Sequence, residues 1–221
     1  MTARVRSAAA VLISGGGSNL QAFIDAVAAG RLDLDLSVVI SNRDDAGGLE
    51  RARRAGIPAR VIANRDFPDR AGFDSAIAAE ITHHGAGLVI LAGFMRILGP
   101  AFVAQFAGRL LNIHPSLLPA YPGLDTHARV LAAGERWHGC TVHFVTEELD
   151  GGPRIIQGRV PVRPHDDVDA LARRVLAVEH RIYPRAAALW AAGRLALREG
   201  QCWLDGAPLE EPLAWQDGRP S

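Results

Sequence analysis

Apolar residues fall in two rhythms along the first half of the chain. Ala8 to Ile13 is a continuous apolar run ended by glycines, the pattern of a strand buried on both faces. Leu20, Phe23, Ile24 and Val27 then recur at helical spacing, with Gly30 as a stop. Leu36 to Ile40 reads as a second strand, 46–55 as a helix ending at Gly56, and Ala59 to Ala63 as a third strand. Phe73, Ile77 and Ile81 stand four apart and predict a helix over 69–82. Leu88 to Ala92 is another apolar strand, 99–107 a short helix, and Arg109 to Ile113 a further strand. Strands alternating with helices predict a parallel sheet with crossover helices. The expected fold class is therefore α/β, doubly wound over about residues 8–115.

Beyond Pro115 the rhythm changes. Pro115, Pro119, Pro122 and Gly123 share one loop. Strand-like runs at 140–146 and 155–162 flank Leu149-Asp150-Gly151-Gly152-Pro153. Leu171, Val175, Val178 and Ile182 form the apolar stripe of a long helix, which Pro184 is expected to kink or end near its middle. The tail 195–215 is mixed. No repeat or linker interrupts the chain, which reads as one domain over 1–221 with halves of about 8–115 and 116–205 and a tail at 206–221.

Charge narrows the chemistry. The 221 residues carry 24 basic and 24 acidic side chains, so nothing draws the chain generally to nucleic acid or an anionic membrane. All 24 basic residues are Arg. Without Lys there is no P-loop lysine, no lysine Schiff base and no Ser-Lys nucleophile. Two distant cysteines, Cys140 and Cys202, suit a reducing compartment and no disulfide scaffold. No apolar run is long enough to span a membrane. Arg4 and Arg6 precede an apolar run in the charge order of a signal peptide, but a glycine-rich turn and a helix follow at once. The run reads as a first core strand, and the chain as cytoplasmic.

Three motifs bear on function. Ser14-Gly15-Gly16-Gly17-Ser18-Asn19 lies between a strand and a helix, where N–H groups and the helix dipole suit a phosphate. The other reading is a plain turn with Ser18 or Asn19 as helix cap. The dinucleotide fingerprint fails, because Leu20 occupies the place of its last glycine. Asn112 and His114 stand two apart at a strand end, so they share one side, an amide donor beside an imidazole. Loop anchoring is the other reading. Asp150 beside Gly151 and Gly152 can point into a cleft and orient a His, or lie in an acidic loop in solvent. The remaining histidines follow no zinc-binding pattern, so no metal is expected.

In combination, Gly17-Ser18-Asn19, the 112–119 run Asn-Ile-His-Pro-Ser-Leu-Leu-Pro and the 149–153 run Leu-Asp-Gly-Gly-Pro resemble the phosphoribosylglycinamide formyltransferases. These are members of the folate-dependent formyltransferase superfamily. The stretches 91–98, 121–124 and 142–146 match as well, and the likeness covers about residues 10–205. The resemblance implies a Rossmann-like formyltransferase fold with a C-terminal antiparallel extension and a long helix. It implies transfer of a formyl group from 10-formyltetrahydrofolate, a co-substrate, to the amine of glycinamide ribonucleotide, without metal. Asn112 and His114 would stabilise the oxyanion, and Asp150 would position His114 and a water and assist proton transfer. Gly17, Ser18 and Asn19 would hold the substrate phosphate and Glu179 the ribose. Met95, Arg96, Ile97 and Leu98 would line the pterin pocket, with Arg70, Val103, His143, Val145 and Thr146 around it. Partners would be small molecules, and the protein a monomer or homodimer.

Three positions depart from the family pattern. Gly16 stands where Ser or Asn is common, Asp125 where His is common, and Leu176 where some relatives carry a polar residue. A sugar-nucleotide amine remains an alternative acceptor. A tRNA formyltransferase is disfavoured by the acidic tail, with Glu199, Asp205, Glu210, Glu211 and Asp217. A noncatalytic folate- or nucleotide-binding module would not need Asn112, His114 and Asp150 together.

Overall fold

The apolar run after Arg6 becomes β1 (Ser7–Ile13), whose residues from Ala9 to Ile13 are fully buried. It lies between β2 (Leu34–Ser41) and β4 (Leu88–Leu91), parallel to both. A strand covered on both faces needs a continuous apolar run rather than alternation. The short β3 (Ala59–Val61) adds outside β2, again parallel, and gives the order β4-β1-β2-β3. The computed structural model describes residues 6–216 and 219–220.

Helices α1 (Ser18–Ala28), α2 (Gly47–Arg54), α3 (Arg70–His83) and α4 (Pro100–Gln105) follow successive strands. Their starts are chemically marked. Asp69 caps α3 by accepting from the Gly72 N–H at 2.8 Å. Pro100 opens α4, where a missing N–H costs nothing. The chain divides into two compact units, Met1–Leu111 and Asn112–Ser221, and β5 (Leu110–His114) carries it from the first to the second.

In the second unit, β6 (Trp137–Phe144) and β7 (Arg154–Pro161) form an antiparallel pair beside the 145–153 loop. The long α6 (Val168–Ala191) packs on it. Gly158 of β7 lets this helix come close, because a Cβ there would sit 2.2 Å from Val178 Cγ1. Asp167 caps α6 through the Ala170 N–H at 2.7 Å. After it come β8 (Leu195–Arg198), β9 (Gln201–Leu204) and β10 (Ala207–Pro208), a small antiparallel sheet. Then β11 (Leu213–Gln216) adds parallel to β7, with β12 (Arg219–Pro220) at the edge.

The fold class is the one expected, a mostly parallel α/β sheet with an antiparallel C-terminal extension. Two local expectations need correction. Pro184 does not end its helix, which runs on to Ala191. Ile182, Tyr183, Ala186 and Ala187 are all fully buried around it, and this packing outweighs the hydrogen bond that proline removes. The Pro-rich segment is followed by a helix the periodicity missed, α5 (Thr126–Ala132). It is only seven residues long and buries only Thr126 and Val130, too few to show a period.

Candidate active site

In the first unit, the glycine loop turns from β1 into α1. Gly17 is the N-cap residue, in the left-handed region at φ 70°, and no side chain caps the helix. That disposes of the reading in which Ser18 or Asn19 serves as the cap. The first turn holds no acidic residue, so the positive end of the dipole is not neutralised locally. Helix α2 packs against the loop. The Gly48 N–H donates to Gly15 O at 3.0 Å, and Arg51 Nε donates to Gly16 O at 2.8 Å. Both carbonyls are thus engaged by α2. A Cβ on Gly17 would lie 2.6 Å from Gly48 Cα, and one on Gly48 would lie 2.5 Å from Ile13 Cδ1, so both positions favour glycine. A Cβ on Gly16, one of the departures from the family pattern, would meet nothing within 4 Å. Ser18 is half-buried and Asn19 buried.

The same unit holds the segment after β4. Ser14 Oγ donates to Asn42 Oδ1 at 2.6 Å and accepts from the Met95 N–H at 2.8 Å, so the β1 end fixes this segment. Met95 and Ile97 remain 71% and 64% exposed, an apolar surface left open. Leu98 and Val103 are buried, while Arg70 and Arg96 are exposed. Arg96 lies over the Phe73 ring, 6.0 Å from its centroid. Asp74, which no sequence motif marked, accepts from the Gly99 N–H at 2.7 Å and anchors the far end of the segment. Burial pushes its carboxyl above the usual range.

The second unit brings Asn112, His114, His143 and Asp150 together. Asn112 Nδ2 lies 3.2 Å from His143 Nε2. His114 Nε2 lies 2.9 Å from Tyr121 O, so that nitrogen carries the proton and donates. Its Nδ1 stands 3.4 Å from Asp150 Oδ2, an approach that a proton between them turns into a hydrogen bond. Asp150 adopts φ 53°, which Asp tolerates, and its Oδ2 also accepts from the Gly123 N–H at 2.9 Å. Its side chain is buried, unlike those of Glu147 and Glu148 in the same loop. The solvated-loop reading therefore holds for the two glutamates and not for Asp150.

The 115–125 loop is pinned to β6 and β7 by residues the sequence did not single out. Thr141 Oγ1 donates to Ser116 O at 2.7 Å and accepts from the Leu118 N–H at 3.1 Å. Gln157, opposite Thr141 across the strand pair, and Arg154 both donate to Leu118 O, at 2.6 and 2.9 Å. From α5, Arg129 donates to Pro122 O at 2.6 Å and lies over the Tyr121 ring. These contacts set the Tyr121 carbonyl that orients His114. Only the β6–β7 register reveals Gln157 as the neighbour of Thr141.

Other site candidates sit nearby in the chain or on α6. Val145 and Thr146 are half-buried just after β6. Glu179 is buried on α6, and Leu176 is half-buried one turn earlier. Asp125 is exposed at the start of α5 with φ 56°. His127 Nδ1 lies 2.9 Å from His138 Nε2. Burial and the neighbouring imidazole hold His138 down at about 4, and burial also lowers His127.

Comparison with known proteins identifies the family. The formyl transferase family model matches residues 7–187. The phosphoribosylglycinamide formyltransferase of Escherichia coli is 52% identical over 199 residues, 90% of this chain and 94% of that protein. Its counterpart from Haemophilus influenzae is 45% identical over 200 residues, with the same 90% and 94% coverage. The structure of the phosphoribosylglycinamide formyltransferase of Coxiella burnetii, in complex with CHES, superposes with a TM-score of 0.92 at 49% identity. That superposition covers 96% of this chain and 100% of that one.

Proposed function

The chain belongs to the formyl transferase family, and from that membership we propose that it formylates glycinamide ribonucleotide in purine biosynthesis. The formyl donor is 10-formyltetrahydrofolate. The observation that carries the chemistry is one cluster in which half-buried Asn112 meets His143 and buried His114 meets the buried Asp150 side chain.

The substrate amine attacks the formyl carbon and a C–N bond forms. The carbonyl oxygen gains charge, which Asn112 Nδ2–H stabilises, and His114 becomes a second donor once its Nδ1, which faces Asp150, takes up a proton. Asp150 orients His114 and receives the ammonium proton, directly or through a water. The same proton then passes from Asp150, through a water, to N10 as its bond to the formyl carbon breaks, the carbonyl re-forms and tetrahydrofolate departs. No nucleophilic Ser, Cys or Lys takes part.

Binding roles follow residue by residue. Gly17, Ser18 and Asn19 hold the phosphate, a role supported by the uncapped start of α1 and by the two carbonyls that α2 engages. Glu179 takes the ribose hydroxyls. Arg70, Met95, Arg96, Ile97, Leu98, Val103, His143, Val145 and Thr146 are assigned to the folate. Open Met95 and Ile97 side chains suit a planar apolar ring; buried Leu98 and Val103 act from behind the surface. One catalytic domain over residues 1–221 comprises both units. A cytoplasmic location goes with this reading, supported by two free, buried thiols.

The test is formyl transfer by purified protein with and without glycinamide ribonucleotide, followed by folate absorbance. Turnover should depend on that acceptor. Folate consumption without it would indicate a hydrolase, and turnover only with sugar-nucleotide amines would move the acceptor assignment. Asn112→Ala and His114→Ala should each lose about 10²–10³ in kcat with the fold intact.

A further inference from the structure

We infer that His143 is a positioning residue for the oxyanion donor, holding the Asn112 amide in the one orientation that presents an N–H to the reacting carbonyl. This rests on the proposed formyl transfer. It gives His143 a part in the chemistry beyond lining a folate pocket.

The inference follows from hydrogen-bond accounting. His143 is 2% exposed, so both ring nitrogens must find partners inside the protein. Nδ1 lies 2.9 Å from Phe144 O, a carbonyl that can only accept, so Nδ1 carries the proton. Burial lowers the imidazole's affinity for a second proton and keeps the ring neutral. Nε2 is then a bare lone pair and can only accept. It lies 3.2 Å from the Asn112 amide, which must turn its NH₂ toward the ring rather than its oxygen. One amide hydrogen is spent on His143. The other, on the same nitrogen, is left for the carbonyl that becomes an oxyanion. With the amide reversed, Oδ1 would face both the imidazole lone pair and the developing negative charge, and the donor would be lost.

The strand pair places the ring for this task. The β6–β7 register shifts between Val142 and His143, an irregularity of the kind that re-aims a side chain next to a site. Asp150 Oδ1 stands 3.9 Å from Nε2, too far for a hydrogen bond, so Asn112 is the partner of that nitrogen.

A double-mutant cycle tests the inference. His143→Leu keeps bulk and removes the acceptor. It should lower kcat about tenfold to hundredfold, within the loss expected for a missing oxyanion donor, and move KM for glycinamide ribonucleotide by less than about threefold. His143→Gln can place an amide oxygen near the Nε2 position and should recover most of kcat. In an Asn112→Ala background, His143→Leu should change kcat by less than about threefold, since nothing remains to orient. Equal losses in both backgrounds, or a loss confined to KM for the folate, would overturn the inference. A second measurement needs neither variant nor turnover. Nitrogen NMR of the unmodified protein should show His143 protonated on Nδ1 and bare on Nε2. The opposite tautomer would overturn the inference even if formyl transfer itself is confirmed, whereas absence of acceptor-dependent turnover with the expected tautomer would count against the function alone.

Discussion

Gly151 and Gly152 are neighbours with different reasons to be glycine. A Cβ on Gly151 would meet the side chain of Glu148 at 2.4 Å, an exposed chain that can swing away. A Cβ on Gly152 would meet the backbone oxygen of Phe144, which is held in place by the strand it ends. Gly152→Ala should therefore destabilise the fold by about 3 kcal/mol, a melting-point loss of about 6–12 °C, while Gly151→Ala costs under about 1 kcal/mol. Thermal unfolding of the two variants checks this, and equal losses would refute it. The same residues show what the sequence could tell. Alternation alone put Asn112 and His114 on one side of a strand, because period 2 is a property of the backbone. Asp150 was ambiguous, since a carboxylate beside glycines is equally at home in water. The bond from Asn112 to His143 was not legible at all, because it joins residues 31 apart and depends on a ring tautomer.

At the scale of elements, α2 braces the loop that opens α1, where the substrate phosphate is proposed to bind. Carbonyl oxygens repel phosphate, and a run of three glycines leaves them free to turn inward. Gly48 and Arg51 draw the oxygens of Gly15 and Gly16 toward α2, and Arg51 also donates to Gln21 on α1 at 3.1 Å. Arg51→Ala should raise KM for glycinamide ribonucleotide about tenfold and leave kcat and the folate KM nearly unchanged. Inhibition by inorganic phosphate should weaken in parallel, and unchanged phosphate affinity would refute the brace. Strands and helices with long apolar patterns were legible in the sequence because burial enforces a period. Helix α5 was not, since its work is done by Arg129, whose partners are loop carbonyls rather than a core. Pro184 misled for the opposite reason, as local propensity was overruled by packing on both sides of it.

For the molecule as a whole, buried imidazoles make stability depend on pH in a fixed direction. His138 titrates at about 4 in the folded protein, against about 6.5 in an unfolded chain. Between those values the unfolded chain binds a proton that the folded one refuses, so stability falls as pH falls through this window and is level above about pH 7. His127 and His143 are also lowered by burial and add to the same trend. Asp74 opposes it, because its raised carboxyl takes up a proton earlier in the folded state. From pH 7 to pH 5 His138 alone should remove about 1–2 kcal/mol, or about 2–8 °C in Tm. The contact with His127 explains the sign structurally. A ring pair at 2.9 Å accommodates one donor and one acceptor, and a second proton leaves two donors facing each other. His138→Gln retains a neutral partner and should flatten the profile by the His138 share. A wild-type Tm that stays level from pH 7 to pH 5, or a His138→Gln profile as steep as the wild type, would show that these imidazoles accept protons freely in the folded state.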